Sequence, residues 1–483
     1  MSEASREQLA AVVAAQAGAI EELTGLNAEL TVRNAELVER IAELERRLGQ
    51  NSRNSSKPPS TDGPQVPVRR SARGKSGRRQ GKQPGAEGRT LRLVDDPDQV
   101  VDHVPAACSG CGGGLGGAAP AGVVRRQVHD IPVVSATVTE HRLHKLRCSG
   151  CGTTSTAAAP DGVDASAVYG PNLRALAVYL LVYQHVPVAR TAELIADLTG
   201  ATVSTGWVCS VLTRVADVLA DVEKLIAALI TAAHVGHFDE TSVNVNGAKW
   251  WLHVACTPTL TAYHLDRSRG RAAVDCFGVL PAFTGIAVHD ALSVYDGPDY
   301  RTARHALCAA HLAREIVAAA ETHPAHAWPQ AALDALYGLN DAAHDARAAA
   351  QQQIPVQIGA PLLDRWRHAI LCGLADNPRS DGRKQTKTRN LLERLRDRDE
   401  QVLRFARDLT VPFSNNQAER DLRPAKTQMK ISGCTRSETS AHAWLRVRGY
   451  ISTARKNHAN ALTALRDAIT GNPWRPPEPL PAT

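Results

Sequence analysis

The stretch that decides the fold is HVGHFDE at residues 234–240, where the pattern becomes strand-like and ends in two acids. The next residues are VNVNG at 243–247, and Asn-Gly is a strong signal for a β-hairpin turn. The pattern predicts that a strand ends at Asp239, with Glu240 pointing to the opposite face of the sheet. A β-sheet is therefore expected from residue 234 onward.

Further strands are predicted over Lys249 to Cys256, over Thr261 to Leu265, and in GIAVHD at residues 285–290. The last of these is a short apolar strand that ends in the carboxylate of Asp290. A sheet that places one aspartate within a strand and another at a strand tip can hold two divalent ions. Asp239 and Asp290 are thus candidate metal ligands.

A third acid lies far downstream, in SNNQAERDLRP at residues 414–424. Ser414 with Gln417 three residues later predicts a capping box at a helix start. Glu419 and Arg423 fall on one face of that helix, and Pro424 is expected to end or kink it. Residues 414–456 hold nine bases and three acids, which predicts a cationic surface beside the proposed ions.

Two other segments read as helical. Ala-rich sequence from His305 to about Leu409 predicts a helical insertion in the sheet domain. Val188 to Leu198, a turn at Gly200, and Ser204 to Leu219 predict a helix, a turn and a second helix. In one interpretation the second helix binds in the major groove of DNA. In the other, the two helices form an ordinary helical hairpin.

The N-terminal residues carry a leucine every seventh position. The predicted d positions are Leu23, Leu30, Leu37 and Leu44, and the predicted a positions are Ile20, Asn27, Asn34, Ile41 and Leu48. Asparagine at a positions favours a two-stranded parallel coil, so a homodimer or a higher oligomer is expected through this zipper. The alternative is one amphipathic helix packed on the chain's own core.

A basic segment follows, because residues 51–92 carry eleven bases and two acids. With Gly and Pro interleaved it cannot bury a core, and its cations are expected to bind DNA phosphates without sequence preference. The alternative is a solubilising linker. The candidate DNA-binding residues here are Arg69, Arg70, Arg73, Lys75, Arg78, Arg79 and Lys82.

Four of the ten cysteines form two C-S-G-C-G sequences, Cys108 with Cys111 and Cys148 with Cys151. Two such turns predict tetrahedral thiolate coordination of a structural Zn²⁺ ion, with a glycine after each pair permitting the tight turn. Strands over Arg125 to Val134 and Ala136 to Arg147 would complete a zinc ribbon. Redox or disulfide chemistry is the alternative.

Length and composition limit the number of domains and the possible location of the protein. The 483 residues suggest about three domains, and 43% apolar residues can build buried cores. The longest apolar run, Ala175 to Tyr183, is far shorter than the roughly 20 residues of a spanning helix, so no membrane is expected. The first residues lack the order of a signal peptide, so a cytoplasmic protein is expected, associated with the nucleoid when bound to DNA.

Taken together, the order of parts resembles the insertion sequence 66 family of DDE transposases. The matching stretches are NSRNSSKPPS at 51–60, the two cysteine knuckles, HFDET at 237–241, and NNQAERDLRP at 415–424 continuing to KISG at 430–433. The similarity runs from the zipper to about Asn460. Cys308 and His311 match a C-x-x-H of the family, for which we favour a structural or DNA-facing role over a zinc site.

This resemblance implies an RNase H-like catalytic domain that uses two aspartates and one glutamate. Asp239 would bridge two Mg²⁺ or Mn²⁺ ions, Asp290 would hold one and Glu419 the other. Asp296 and Asp299 are close enough in sequence to replace Asp290. The cations expected to grip DNA phosphates beside the ions are Arg420, Arg423, Lys426 and Lys430.

The expected fold class is multidomain α+β. Its predicted parts are a leucine-zipper coiled coil over 1–50, a basic flexible linker over 51–95, a zinc ribbon over 96–160, a helical helix-turn-helix-like module over 165–228, an RNase H-like α/β catalytic domain with a helical insertion over 229–460, and a C-terminal tail over 461–483.

The expected function is that of a DNA transposase, acting on element ends and a target, with accessory proteins of the element as further partners. Two alternatives stay open at this point. One is an RNase H-like nuclease that does not join strands. The other is a non-catalytic DNA-binding protein.

Overall fold

Five strands form one mixed sheet in the computed structural model, which describes residues 3–51, 54, 91–300, 302–380 and 384–477. The strands of the described chain are β1 Lys145–Arg147, β2 Thr154–Thr156, β3 Val235–Val245, β4 Ala248–Cys256, β5 Thr261–Asp266, β6 Ile286–His289 and β7 Arg304–Leu307. The order across the sheet is β5-β4-β3-β6-β7. β3, β4 and β5 pair antiparallel, whereas β6 runs parallel to β3 and β7 runs parallel to β6.

The predicted hairpin is present between β3 and β4. Asn246 and Gly247 both have positive φ, at 50° and 77°, which is the conformation that a tight two-residue hairpin turn requires. The prediction that the strand ends at Asp239 is wrong, because pairing with β4 continues as far as Val245 opposite Ala248. Asp239 therefore lies in the middle of β3.

Helices account for most of the remaining described residues. Their bounds are α1 Glu3–Leu48, α2 Pro171–Val178, α3 Val188–Thr199, α4 Thr205–Val218, α5 Ala220–Thr231, α6 Arg271–Phe277, α7 Val279–Ala282, α8 Ala309–Thr322, α9 Trp328–Ala348, α10 Val356–Asp376, α11 Lys387–Asp397, α12 Asp399–Val402, α13 Arg404–Arg407, α14 Asn416–Ser432, α15 Glu438–Lys456 and α16 Ala461–Ile469. A π-helix, Tyr179–Tyr183, continues α2. No helix in the described part of the chain is long and apolar enough to cross a membrane.

Two hydrophobic cores are built on the sheet. The first joins α2 to α5 and α14 to α16 with β3, β4 and β5, and Ile195, Leu252 and Ile451 are fully buried in it. The second joins α8 to α13 with β6 and β7, around Leu336 and Trp366. The first core has buried residues on both sides of the predicted boundary between a helical module and a sheet domain at residues 228 and 229.

Two further segments have structure near predicted boundaries. The helices of the insertion begin after residue 305, because β7 occupies Arg304–Leu307 and pairs with β6. Within the predicted tail, α16 buries Ala464 and Leu465 in the first core, and the Trp474 backbone N–H donates to the Tyr450 hydroxyl over 2.9 Å. The helical pattern of small apolar residues in α16 is short, so the sequence did not predict this helix.

The chain divides into two compact units, Met1–Pro67 with Thr139–Thr483, and Val68–Val138. The strands expected over Arg125 to Val134 and Ala136 to Arg147 are absent except for β1, which pairs with β2. Most side chains from 123 to 147 are exposed, so their β-propensity has no surface to pack against.

The N-terminal helix α1 is 46 residues long. Its predicted seam is exposed, with Ile20, Leu23 and Leu30 each more than half accessible to solvent. This exposure contradicts the alternative in which α1 packs on the chain's own core.

Candidate active site

Asp239 and Asp290 come together because their strands are neighbours. β6 pairs parallel to β3, with His237 opposite Val288. Two residues further along each strand the same register brings Asp239 level with Asp290, on the same face of the sheet. Gly285 permits this approach, because a Cβ at that position would collide with the carbonyl oxygens of Ala233 and His234 at the start of β3.

Glu419 reaches the same place through α14. Asn415 precedes that helix, and its side chain is buried against β3. Its Nδ2 donates to the Phe238 carbonyl over 2.7 Å, and its Oδ1 lies 2.9 Å from His237 Nδ1. The backbone N–H of Glu419 donates to the Asn415 carbonyl over 3.3 Å, so Glu419 stands one turn beyond this anchor. The helix thus begins beside Asp239.

This differs from the sequence prediction in two respects. Ser414 does not cap the helix; the capping position is Asn415, whose side chain bonds to β3 and makes no cap hydrogen bond to its own helix. Pro424 does not end the helix, which continues to Ser432. A missing N–H at Pro424 removes one hydrogen bond, and the packing of Leu422 and Ala425 in the first core holds the helix across it.

Asp239 lies among the negative charges of neighbouring carboxylates. Burial raises the pKa of Asp239 well above its usual value, and the negative charges of Glu240, Asp290 and Glu419 raise it further. A hydrogen bond from the Glu240 backbone N–H to Asp239 Oδ1 opposes these effects. Burial also raises the pKa of Asp290, followed by the charge of Glu240. A cation at this place would relieve the repulsion.

The triad does not form a closed cage. Among the described residues, the only three metal-binding side chains with ligand atoms within 4.8 Å of one another are elsewhere. Glu419 Oε1 instead lies 3.7 Å from both His311 Nε2 and Arg314 Nη2. The site therefore gathers the three acids as neighbouring charges, with Glu419 held toward α8.

Cys308 and His311 contact different residues. The Cys308 thiol is buried and accepts a hydrogen bond from the backbone N–H of Asn415 over 3.2 Å, and burial raises its pKa to about 11. His311 faces Glu419. A thiol held protonated is a poor zinc ligand, so this arrangement agrees with a structural role for Cys308.

Glu240, predicted to face away from Asp239, is a buried partner of two residues that the sequence did not single out. Its carboxylate accepts from Arg269 Nε over 2.8 Å and from the Tyr295 hydroxyl over 2.5 Å. Only 1% of the Glu240 side chain is exposed. Arg269 lies on the connection between β5 and α6, and Tyr295 lies in a short 3₁₀ helix, Ser293–Asp296. Neither is part of a motif, and only tertiary structure brings them to β3.

Asp296 and Asp299, the two alternatives to Asp290, are held in ion pairs. Asp296 is bound by two nitrogens of Arg398 at 2.8 and 3.1 Å, and Asp299 contacts Arg271. Neither is among the charges that raise the pKa of Asp239 most. The structure brings Asp290, and neither alternative, into the cluster.

The predicted DNA-binding cations fall into three groups. Arg420, Arg423 and Lys430 are exposed on α14. Lys426 differs, because its Nζ donates to the Ser242 carbonyl of β3 over 2.5 Å. The seven cations between residues 69 and 82 lie outside the described residues.

The predicted helix-turn-helix elements are present as α3 and α4. Gly200 ends α3 with φ of 71°, and Ser204 Oγ accepts from the Trp207 backbone N–H over 3.1 Å at the start of α4. The first residues of α4 are exposed at Thr205 and Gly206. Whether these helices read DNA stays a prediction.

The two cysteine knuckles have the same backbone turn. In the first, Cys108 N–H donates to the Gly113 carbonyl over 2.8 Å; in the second, Cys148 N–H donates to the Thr153 carbonyl over 2.8 Å. The glycine after each pair, Gly112 or Gly152, has φ of 75°. A hydrogen bond from Thr153 lowers the pKa of Cys151 to about 7, and backbone N–H groups lower that of Cys108. Both knuckles thus favour the thiolate that zinc binds.

Comparison with known protein families agrees with this set of features. Residues 166–443, more than half of the chain, match the model described as "Transposase IS66 family". Residues 105–152, which include both knuckles, match the "zinc-finger binding domain of transposase IS66". Residues 13–92 match a family of unknown function. No curated protein matches the chain.

Proposed function

The chain belongs to the IS66 family of transposases, and from this premise we propose that it cleaves DNA strands at the ends of an insertion sequence and joins them to a target. A transposase acts on phosphodiester bonds, so its site needs groups that activate an oxygen nucleophile and stabilise a leaving oxygen. We propose that an RNase H-like domain, built on the five-stranded mixed sheet, supplies them.

The observation that carries this proposal is the convergence of Asp239, Asp290 and Glu419. They come from the middle of one strand, the tip of its parallel neighbour and the first turns of α14. After burial and the charge of Glu240, the charges of Asp290 and Glu419 also raise the pKa of Asp239. Three carboxylates gathered beside one another without a cation among them are electrostatically costly. Such a cluster is expected where divalent ions are bound.

The donor set fits Mg²⁺ or Mn²⁺, which prefer oxygen ligands. When bound, a pair of such ions activates the attacking oxygen and stabilises the charge on the leaving oxygen. Asp239, Asp290 and Glu419 are the residues that would hold these ions. His311 and Arg314 position the Glu419 carboxylate from the α8 side. Asn415 positions the start of α14.

DNA would lie along the exposed cations of α14. Arg420, Arg423 and Lys430 are free to contact phosphates, and such contacts fix the position of a duplex without reading its sequence. Lys426 supports the helix against β3 instead. We propose the basic segment over 69–82 as a second phosphate contact and the exposed start of α4 as the part that reads base edges.

We propose that the cysteine knuckles bind a structural ion and that α1 joins two copies of the chain. The four thiolates of Cys108, Cys111, Cys148 and Cys151 would hold one structural Zn²⁺ ion. The exposed seam of α1 would pair with a second copy of the chain, since apolar side chains at heptad spacing need a partner to be buried. A dimer suits an enzyme that must hold two element ends at once.

The test is to incubate the full chain with labelled DNA that carries the sequences flanking its gene, in Mg²⁺ buffer. Cleavage at the ends followed by joining to a target strand supports the proposal. Cleavage without any joined product would identify a nuclease instead. DNA binding without cleavage, in Mg²⁺ and in Mn²⁺, would identify a non-catalytic DNA-binding protein.

A further inference from the structure

A second group of metal-binding side chains lies on the edge of the sheet. His264 and Asp266 are two residues apart on β5, so both point to the same face. Cys276, near the end of α6, joins them. One ligand atom from each of the three lies within 4.8 Å of the other two, which holds for no other three such side chains among the described residues.

The imidazole of His264 is oriented and lacks a hydrogen-bond partner at one nitrogen. Its ring stacks on Phe277 with centroids 5.4 Å apart and planes 14° from parallel. Its Nε2 is buried and makes no hydrogen bond. Asp266 Oδ2 is 3.8 Å away, too far for a hydrogen bond. A buried nitrogen without a partner is costly, and a metal ion between these two atoms would satisfy it.

The side chains of Asp266 and Cys276 are also placed so that they can bind a metal ion. Asp266 Oδ1 accepts from the Ser268 backbone N–H over 2.6 Å, which fixes the carboxylate and leaves Oδ2 for another contact. Cys276 is exposed, so an ion can enter from solvent. The neighbouring His253 is not a further ligand through Nε2, because that nitrogen lies 3.1 Å from the Ser268 carbonyl.

We propose that His264 Nε2, Asp266 Oδ2 and Cys276 Sγ bind one Zn²⁺ ion. Imidazole nitrogen, carboxylate oxygen and thiolate sulfur are together the ligands of zinc, whereas Mg²⁺ and Ca²⁺ take oxygen alone. Zinc sites are tetrahedral, so water takes the fourth position. Small side-chain rotations bring the three atoms to bonding distance. This site is separate from the carboxylate cluster and from the cysteine knuckles.

The ion would join the end of β5 to the end of α6. The connection between β5 and α6, residues 267–270, carries Arg269, which pairs with the buried Glu240 next to Asp239. Zinc at this edge therefore positions Arg269 without touching the reacting atoms. It stabilises the face of the sheet opposite Asp239.

The test measures alkylation of Cys276 by iodoacetamide in the full chain, with the modified peptides resolved by mass spectrometry. Excess Zn²⁺ is expected to slow modification of Cys276 by at least about tenfold relative to chelator-treated protein, because a metal-bound thiolate is a poor nucleophile. The exposed Cys209 on α4 has no such neighbours, so its rate reports any general effect of zinc. The knuckle cysteines give separate peptides and do not confuse the result.

His264→Ala is expected to abolish the protection of Cys276 and leave the rate at Cys209 unchanged. Asp266→Asn should weaken the protection, and Cys276→Ser should lower the zinc content by about one ion per chain relative to wild type. Cys276 is exposed, so that serine variant is expected to fold, as circular dichroism can verify. Equal alkylation of Cys276 with and without Zn²⁺, or full protection in His264→Ala, would overturn the proposal.

Discussion

The side chain of Asn415 donates a 2.7 Å hydrogen bond to the backbone carbonyl of Phe238, the residue immediately before Asp239. The same side chain accepts from His237, the residue before Phe238, with 2.9 Å between Oδ1 and Nδ1. One asparagine thus fastens the start of α14 to the middle of β3. This contact explains how Glu419, far downstream in the sequence, arrives beside Asp239.

We expect Asn415→Ala to lower the free energy of unfolding by about 1–3 kcal/mol, because it leaves the Phe238 carbonyl and His237 without their partner in a buried place. Strand joining should fall further than the stability loss explains, since Glu419 loses its anchor. Urea unfolding and a joining assay measure the two effects. The neighbouring Asn416 is exposed, so Asn416→Ala is the matched control for stability. An Asn415→Ala protein with wild-type stability would contradict this role.

Breaking the Glu240 pair should also destabilise the fold. Arg269→Met leaves a buried carboxylate with Tyr295 as its remaining donor, and we expect a loss of about 1–3 kcal/mol or more. Glu240→Gln in the same background should cost much less than it does alone, because the two residues interact directly. A double-mutant cycle by urea unfolding measures that coupling. Strict additivity of the two changes would show that the pair contributes no interaction energy.

The raised pKa of Asp239 makes stability depend on pH in a defined direction. The folded chain keeps the Asp239 proton to a higher pH than the unfolded chain does, so this group stabilises the fold at low pH. That contribution is lost as the pH rises from about 4, the pKa of an unfolded aspartate, through the raised pKa of the folded chain. The loss is about 1.4 kcal/mol for each pH unit that separates the two pKa values. Asp290 acts in the same direction.

In Mg²⁺-free buffer, the unfolding free energy of wild type minus that of Asp239→Asn should therefore fall as the pH rises. Adding Mg²⁺ should restore wild-type stability most at the higher pH values, where the carboxylates are ionised. Urea unfolding between about pH 4 and pH 8 tests this, since that range begins at the pKa of an unfolded aspartate. A difference that rises with pH in the absence of metal would mean that Asp239 is not desolvated and repelled as the structure has it.

The seam of α1 can be tested with two matched substitutions. Leu30 is a predicted d position and is 57% exposed, whereas Val32 lies outside the seam and is 61% exposed. We expect Leu30→Lys to shift the full chain toward monomer, because a charge at a core position opposes burial. Val32→Lys should leave the association unchanged. Sedimentation velocity distinguishes these outcomes, and equal behaviour of the two variants would argue against a coiled coil.

Local patterns in the sequence predicted the sheet well. The Asn246-Gly247 turn, the four strands from β3 to β6 and the aspartate at the end of β6 were all visible, because alternation and turn residues are local signals. The strand pattern made Asp239 and Asp290 candidate ligands of the same ions, whereas the grouping of Glu419 with them was available only from the resemblance to a family. The order of the strands depends on long-range pairing, which composition does not encode.

What the sequence missed depended on tertiary contacts. The sequence pattern predicted Ser414 as the N-cap of α14, but Asn415 occupies that position. The Asn415 side chain bonds to the Phe238 carbonyl of β3, a contact that the local sequence does not reveal. The β-branched residues before β1 stayed unpaired because they have no core to cover. Arg269 and Tyr295 belong to no motif, and only their hydrogen bonds in the folded chain identify them as partners of Glu240.

The central claim is that Asp239, Asp290 and Glu419 act as one metal-binding unit. Its most direct test is Mg²⁺-dependent strand joining by Asp239→Asn, Asp290→Asn and Glu419→Gln, with Asp296→Asn as the control, since Asp296 is paired with Arg398. Each of the first three should lose more than the roughly hundredfold that removal of an outer-shell partner costs, while the control retains its activity. Near-wild-type joining by any folded variant of the three would contradict the claim.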